Sequence, residues 1–137
     1  VPRLRLISPI VVAVHSTADS LDELEVPEGA TLCRVAPREA LLVGSDAGDV
    51  SSSDPEGIVE DVSDGWAGFE LSGDGADEAF ARLSELELPD EGFLQGEVAR
   101  VGAKVIVSAD RLTILVPAML GAFVEERIRT DCAEVLW

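Results

Sequence analysis

The sequence of 137 residues predicts an α+β fold, and three patterns carry the prediction. Ala67, Phe69 and Leu71 alternate with Trp66, Gly68, Glu70 and Ser72, the period of a half-buried strand. Ala76, Ala79, Phe80, Leu83 and Leu86 then recur at helical spacing. Ala99, Val101, Ala103, Val105 and Val107 resume the strand alternation, and Leu112, Ile114 and Val116 continue it beyond a short turn. The order that results is β-α-β-β-α-β. It is a ferredoxin-like unit, with both helices on one face of an antiparallel sheet and additional N-terminal strands ahead of it. A single domain over 1–137 is expected, with N-terminal strands and a surface loop in 1–57 and the ferredoxin-like half in 58–137.

The elements follow in order. The opening VPRLRLISPIVVAV places Arg3 and Arg5 before an apolar run that Pro9 interrupts, which reads as an N-terminal strand rather than a leader. Ile10–Val14 and Thr31–Val35 are short strands, and Asp19–Gly29, ending in Pro27-Glu28-Gly29, is an exposed connection. Pro37–Ala40 suggests one helical turn before the apolar run Ala40–Val43. Gly44–Gly57 is a surface loop rich in Gly, Ser and Asp and open to movement. Asp46, Asp49 and Asp54 offer oxygens there, but their spacing matches no EF-hand and no terminal glutamate follows, so solvent is their expected partner. The Asp64-Gly65 pair predicts a hairpin joining a strand that starts near Val59 to the strand at Trp66–Ser72. Ser72 or Asp74 would cap the first helix, and Asp74, Asp77 and Glu78 suit its N-terminal dipole. After Pro89 and a polar turn, Gly96–Ser108 reads as one long strand, turned by Ser108–Arg111 into Leu112–Val116. Pro117 opens a second helix with an apolar stripe of Leu120, Phe123, Val124 and Ile128, and Arg127 and Arg129 suit its C-terminal end. Cys132–Trp137 is expected as a closing strand.

Composition narrows the partners. An apolar content of 47% is too high for a disordered chain, and 27 acidic against 10 basic residues give a net charge of −17. Nucleic acid and anionic membrane surfaces would meet charge of their own sign, so neither is an expected partner. Such acidity serves solubility, suits a salt-rich cytoplasm, or offers a docking surface for a basic partner. No apolar stretch approaches the roughly 20 residues that span a bilayer, and a cytoplasmic protein is expected. Cys33 and Cys132 lie far apart and read as reduced, buried thiols, and with the single His15 they complete no metal site.

Catalytic patterns are missing. No G-x-S-x-G is present, and His15 has no partner motif beside it. Gly73-Asp74-Gly75 precedes a helix, but Asp74 would repel an anion and no phosphate-loop pattern surrounds it, so a tight turn is expected. Paired acids such as Glu60-Asp61 and Glu125-Glu126 arise by chance in so acidic a chain. No catalysis is expected of this chain alone. The sheet face away from the helices should carry Trp66, Glu70, Arg100, Lys104, Arg111, Thr113 and Leu115. Two cations four residues apart beside a tryptophan are unusual in this chain. Covered by the N-terminal strands, that face holds ordinary ion pairs. Left open, it is a partner interface formed by Trp66, Glu70, Arg100, Lys104 and Arg111, with Trp66 as the anchor.

The run DVSDGWAGFELSGDGADEAFARL resembles a motif of the aminomethyltransferase folate-binding fold, in which alternating apolar residues lead to a glycine and then a helix. That superfamily includes the glycine-cleavage T-protein and the gamma subunit of heterotetrameric sarcosine oxidase. GEVAR at Gly96–Arg100 and LTILVPAMLGAFVEERI at Leu112–Ile128 are similar to the gamma subunit's ending, and LCRVAPREALLVG at Leu32–Gly44 agrees more weakly. Asp64 stands where the family often has histidine, and Pro117-Ala118-Met119-Leu120 departs from the family's helix opening. No segment resembles the T-protein's catalytic aspartate loop, and the chain is shorter than a two-domain aminomethyltransferase. The resemblance therefore implies a non-catalytic accessory subunit of a sarcosine-oxidase-like flavoenzyme. Its partners would be larger flavoprotein subunits that carry FAD, FMN and NAD, with no cofactor on this chain. Two other expectations stand beside it: a one-carbon protein that binds folate through Asp61, Ser63 and Arg100, and a ligand-free domain that forms a homodimer.

Overall fold

The computed structural model describes residues 1–136. In chain order the strands are β1 (Arg3–Ile7), β2 (Val11–His15), β3 (Thr31–Ala36), β4 (Glu39–Val43), β5 (Ile58–Asp61), β6 (Trp66–Ser72), β7 (Gly92–Val98), β8 (Val101–Val107) and β9 (Arg111–Pro117). The helices are α1 (Ala18–Asp22), α2 (Ala76–Ala81) and α3 (Gly121–Asp131). They form two compact units, residues 9–64 in one and residues 1–8 with 65–136 in the other.

In the unit of residues 9–64, β3-β4-β2-β5 form an antiparallel sheet. Val12 and Val14 of β2, Ala40 and Leu42 of β4, Leu21 of α1 and Val50 make its core. Helix α1 lies inside the segment expected to be an exposed connection. Thr17 caps it by accepting from the Ser20 backbone N–H, and Leu21 is buried beneath it. The cap and one buried leucine suffice to set a single turn and a half that shows no long periodicity. Pro37 and Arg38 form the tight turn between β3 and β4 rather than a helical turn.

The larger unit carries the ferredoxin-like arrangement. Its antiparallel sheet runs β1-β6-β9-β8-β7, with α2 and α3 on one face. Phe69 and Leu71 of β6, Val101, Ala103, Val105 and Val107 of β8, and Leu112, Ile114 and Val116 of β9 point into the core. There they meet Ala79 and Phe80 from α2 and Val124 and Ile128 from α3. Strand β6, helix α2, strand β8 and strand β9 repeat the split βαβ order, with β9 between β6 and β8.

Five details depart from the sequence reading. Strand β5 pairs with β2, while β6 pairs with β1 and β9, so Asp64-Gly65 ends a 3-10 turn and not a hairpin. The expected long strand is two strands, because Ala99 and Arg100 turn the chain back between Val98 and Val101. No closing strand forms at residues 132–136, which are turn or irregular, and Trp137 lies outside the described residues. The sheet edge beside β6, where a closing strand would pair, is already held by β1. Helix α2 is shorter than its apolar spacing suggests and is capped by Gly75 at φ 89°, not by Ser72 or Asp74. Pro117 ends β9, and a 3-10 turn over Ala118–Leu120 intervenes before α3.

Candidate functional site

Residues opposite one another in an antiparallel ladder share a face, so the pairing fixes what lies away from the helices. Row by row that face carries Arg3, Ser72 and Arg111; then Arg5, Glu70 and Thr113; then Ile7, Gly68, Leu115 and Lys104; then Trp66 and Pro117. Trp66, Glu70, Lys104, Arg111, Thr113 and Leu115 are therefore on the face expected of them. Trp66 and Lys104, with Gln95, Gly96 and Pro117 beside them, line one open cavity of about 400 Å³ with a mostly apolar wall. Lys104 Nζ donates to Gln95 Oε1 at 2.6 Å, which holds the only ammonium side chain of the protein at the cavity's edge. Directly after Pro117, Met119 is 89% exposed, and Phe123 on α3 is 46% exposed. Phe123 was expected in the buried stripe of α3. Val124 and Ile128 fill that role, and Phe123 points to solvent.

Glu70 and Arg111 form a second cluster, one and two rows from Lys104. Arg5 Nε donates to Glu70 Oε1 at 2.9 Å, and Arg111 Nη1 lies 3.5 Å from Glu70 Oε2. The Glu70 side chain is only 14% exposed, so two guanidinium groups neutralise a carboxylate that the sheet has largely desolvated. These groups serve the fold's own electrostatics.

Arg100 is not on the strand face. It occupies the second position of the two-residue turn between β7 and β8, with φ 69°, after Ala99 at φ 51°. Both are left-handed conformations that L-residues adopt at a cost of roughly 1–2 kcal/mol each. The turn is fixed from outside itself, because the buried Ala99 donates its N–H to Leu83 O at 2.8 Å. Arg100 thereby borders an open cavity of about 640 Å³, together with Arg82, Ser84, Glu97, Arg127 and Asp131. Beside it Cys132 is buried and donates to Ala79 O at 3.3 Å. Burial pushes its thiol pKa up, Asp131 adds to the shift and Arg82 opposes it, so the group stays a thiol at neutral pH.

Asp61 and Ser63 belong to the other unit, and each is engaged locally. Asp61 Oδ1 accepts from the Ser63 backbone N–H at 2.8 Å, and Ser63 Oγ accepts from Val11 N–H at 2.8 Å. The Ser63 backbone and hydroxyl bonds hold the Asp61 carboxyl below its usual range. Asp61 and Ser63 thus fasten the end of β5 to β2, and with Arg100 in the other unit the three residues do not make a folate pocket within either one. The loop over residues 44–57 is likewise tied down. Ser20 Oγ lies 3.0 Å from both Ser52 Oγ and Ser53 Oγ, and Ser16 Oγ donates to Asp54 Oδ2 at 3.2 Å. Asp54 also accepts from the Glu56 and Thr17 backbone N–H groups. The Glu56 bond is the main reason its carboxyl titrates below the usual range, with Ser16, Thr17 and Arg38 assisting against a partial opposing effect of burial. Among the described residues, no group of three or more His, Cys, Asp or Glu side chains is placed to hold a metal ion. No helix among them is long and apolar enough to cross a membrane.

No family model matches the sequence. No curated protein matches it either. The fold has a clear relative among solved structures. A chain of the heterotetrameric sarcosine oxidase of Corynebacterium sp. U-96, solved in complex with pyrrole 2-carboxylate, superposes with a TM-score of 0.80 over 97% of this chain and 84% of that one, at 13% identity. The aspartate kinase regulatory subunit of Thermus thermophilus (TM-score 0.47, 9% identity, 93% of this chain and 96% of that one) is a looser match. So is the aspartate kinase of Synechocystis (TM-score 0.49, 12% identity, 93% and 26%). Scores that low support no statement about this chain. The sarcosine oxidase likeness establishes the fold: an α+β chain folded like a sarcosine oxidase subunit.

Proposed function

We propose that this chain is a non-catalytic accessory subunit of a heteromeric, sarcosine-oxidase-like flavoenzyme, the counterpart of the gamma subunit. The observation that carries this reading is the superposition on a chain of a heterotetrameric sarcosine oxidase over 97% of this sequence and 84% of that one. Mutual coverage that high means the two chains are of comparable length, so the likeness is to a whole chain and not to one domain of a larger subunit. The apolar spacing of 59–137 and the Val116-Pro117 ending point the same way. Cofactor chemistry then belongs to the partners, which would carry FAD, FMN and NAD, while this chain supplies contact surface.

The docking surface we assign to that role is the end of the sheet where Trp66, Lys104 and Pro117 surround a shallow cavity, with Met119 and Phe123 exposed just beyond. A large aromatic beside exposed Met and Phe has the composition of an interface centre. Arg100 lies in a separate cavity, and Glu70 is paired with both Arg5 and Arg111, so the surface is smaller than the sequence implied. A pull-down of flavoprotein subunits tests the assignment. Trp66→Ala and Met119→Asp should each weaken capture at least tenfold, whereas Arg34→Ala in the other unit should leave it unchanged. Equal capture by all three variants would remove this surface from the proposal.

A further inference from the structure

We infer that the cavity bordered by Arg82, Arg100 and Arg127 is a binding site for a small oxyanion-bearing molecule, one that presents carboxylate or phosphate groups. The inference is independent of the subunit role, since it concerns different residues and a different ligand class. Three of the nine arginines of a chain with net charge −17 come to this one cavity, from three separate elements. Arg82 is the C-cap of α2, Arg100 sits in the β7–β8 turn, and Arg127 projects from the middle of α3. Their carboxylate partners leave capacity unused. Arg127 Nη2 pairs with Asp131 Oδ2 at 3.0 Å, yet Arg127 Nε is buried without a hydrogen-bond partner. Arg82 reaches only the highly exposed Glu134, at 3.7 Å. Arg100 makes no ion pair or side-chain hydrogen bond among the described residues. Glu85 and Glu97 also line the cavity but are exposed and point no oxygen at an arginine within bonding distance.

Strain adds an independent indication. A two-residue turn of this hand favours Asn-Gly, and here the chain places Ala99 and Arg100 in left-handed conformations. The Ala99 N–H to Leu83 O bond locks that turn against the end of α2, which sets the Arg100 side chain at the cavity rim. Left-handed non-glycine residues held by outside contacts concentrate at ligand sites. A recess of about 640 Å³ lined by three arginines matches the size of small-molecule sites, and a guanidinium offers the fork of donors that carboxylate and phosphate accept.

The test is a titration of the full-length ¹⁵N-labelled chain at constant ionic strength with inorganic pyrophosphate and, separately, citrate, with chloride as the control. Saturable shifts are expected at the Ala99, Arg100 and Ser84 amides with at least one of the two anions and not with chloride. The tighter of the two identifies a phosphate or a carboxylate ligand. Arg100→Gly removes the guanidinium and suits the left-handed turn, so it should stay folded while binding falls at least tenfold. Arg127→Gln should weaken binding while keeping the helix. Shifts with both anions no larger than those with chloride, or binding undiminished in Arg100→Gly, would overturn the inference.

Discussion

Arg100 shows most directly how one residue can defeat a pattern. Period-two alternation runs through Val101–Val107 and reaches back to Ala99, and no Gly, Asn or Pro stands at 98–101 to mark a turn, so the sequence reads as one strand. The structure turns there because Leu83 accepts the Ala99 N–H, a contact distant in sequence that local chemistry does not signal. Stability should register the strain. Arg100→Gly relieves roughly 1–2 kcal/mol of left-handed strain and loses about half of that to unfolded-chain freedom, for a net gain of about 0.5–1 kcal/mol in urea denaturation. A loss of that size would mean that the Arg100 side chain itself holds the turn. Asp54 makes a second residue-scale prediction. Its carboxyl titrates lower in the folded chain than in the unfolded one, so its contribution is present in full above the unfolded value of about 3.9 and disappears as pH falls through the folded value. Urea midpoints from pH 6 down to 2.5 should therefore fall less steeply in Asp54→Asn than in the parent chain, and identical slopes would deny the Glu56, Ser16 and Thr17 bonds any energetic role.

Among the elements, the sheet core was legible and the connections were not. Phe69, Leu71, Val105, Ile114 and Val116 alternate cleanly because one face of the sheet is covered by helices, and all five are buried. Strand partners escape such patterns, since alternation says which face a residue takes and nothing of the neighbour it pairs with. That is why Asp64-Gly65 looked like a hairpin while β5 and β6 belong to different sheets. The site residues divide in the same way. Trp66 and Lys104 share a cavity as their common face implied, whereas Arg100 left that face with the turn, and Asp61 and Ser63 are occupied in closing β5 onto β2. Phe123 was missed because helical spacing counts it with the apolar stripe of α3, and Met119 because nothing in the sequence marks a single apolar residue as exposed. The start of α3 tests the packing. Alanine at Gly121 is favoured as a helix former by about 1 kcal/mol, but its Cβ would lie 2.9 Å from Ala67 Cβ, which has no rotamer to yield. Overpacking of that kind costs about 1–3 kcal/mol, so Gly121→Ala should be destabilising by about 1 kcal/mol. A stabilised variant would show that α3 can slide along β6.

At the scale of the whole molecule, no family model matches the sequence, while the fold superposes on a chain of a sarcosine oxidase with a TM-score of 0.80. The apolar spacing of β6, β8 and β9 can specify such a fold with few identical residues, because a sheet core accepts many branched side chains of similar volume. Against a net charge of −17, Trp66 and Lys104 with the exposed Met119 and Phe123 offer the apolar and basic contacts that the proposed docking surface would use. Purification of the full chain from its native cell, with its companions identified and their flavin measured, tests the subunit role most directly. The account predicts a stoichiometric flavoprotein that remains bound through gel filtration. Recovery of the chain alone, or as a homodimer without flavin, would contradict it.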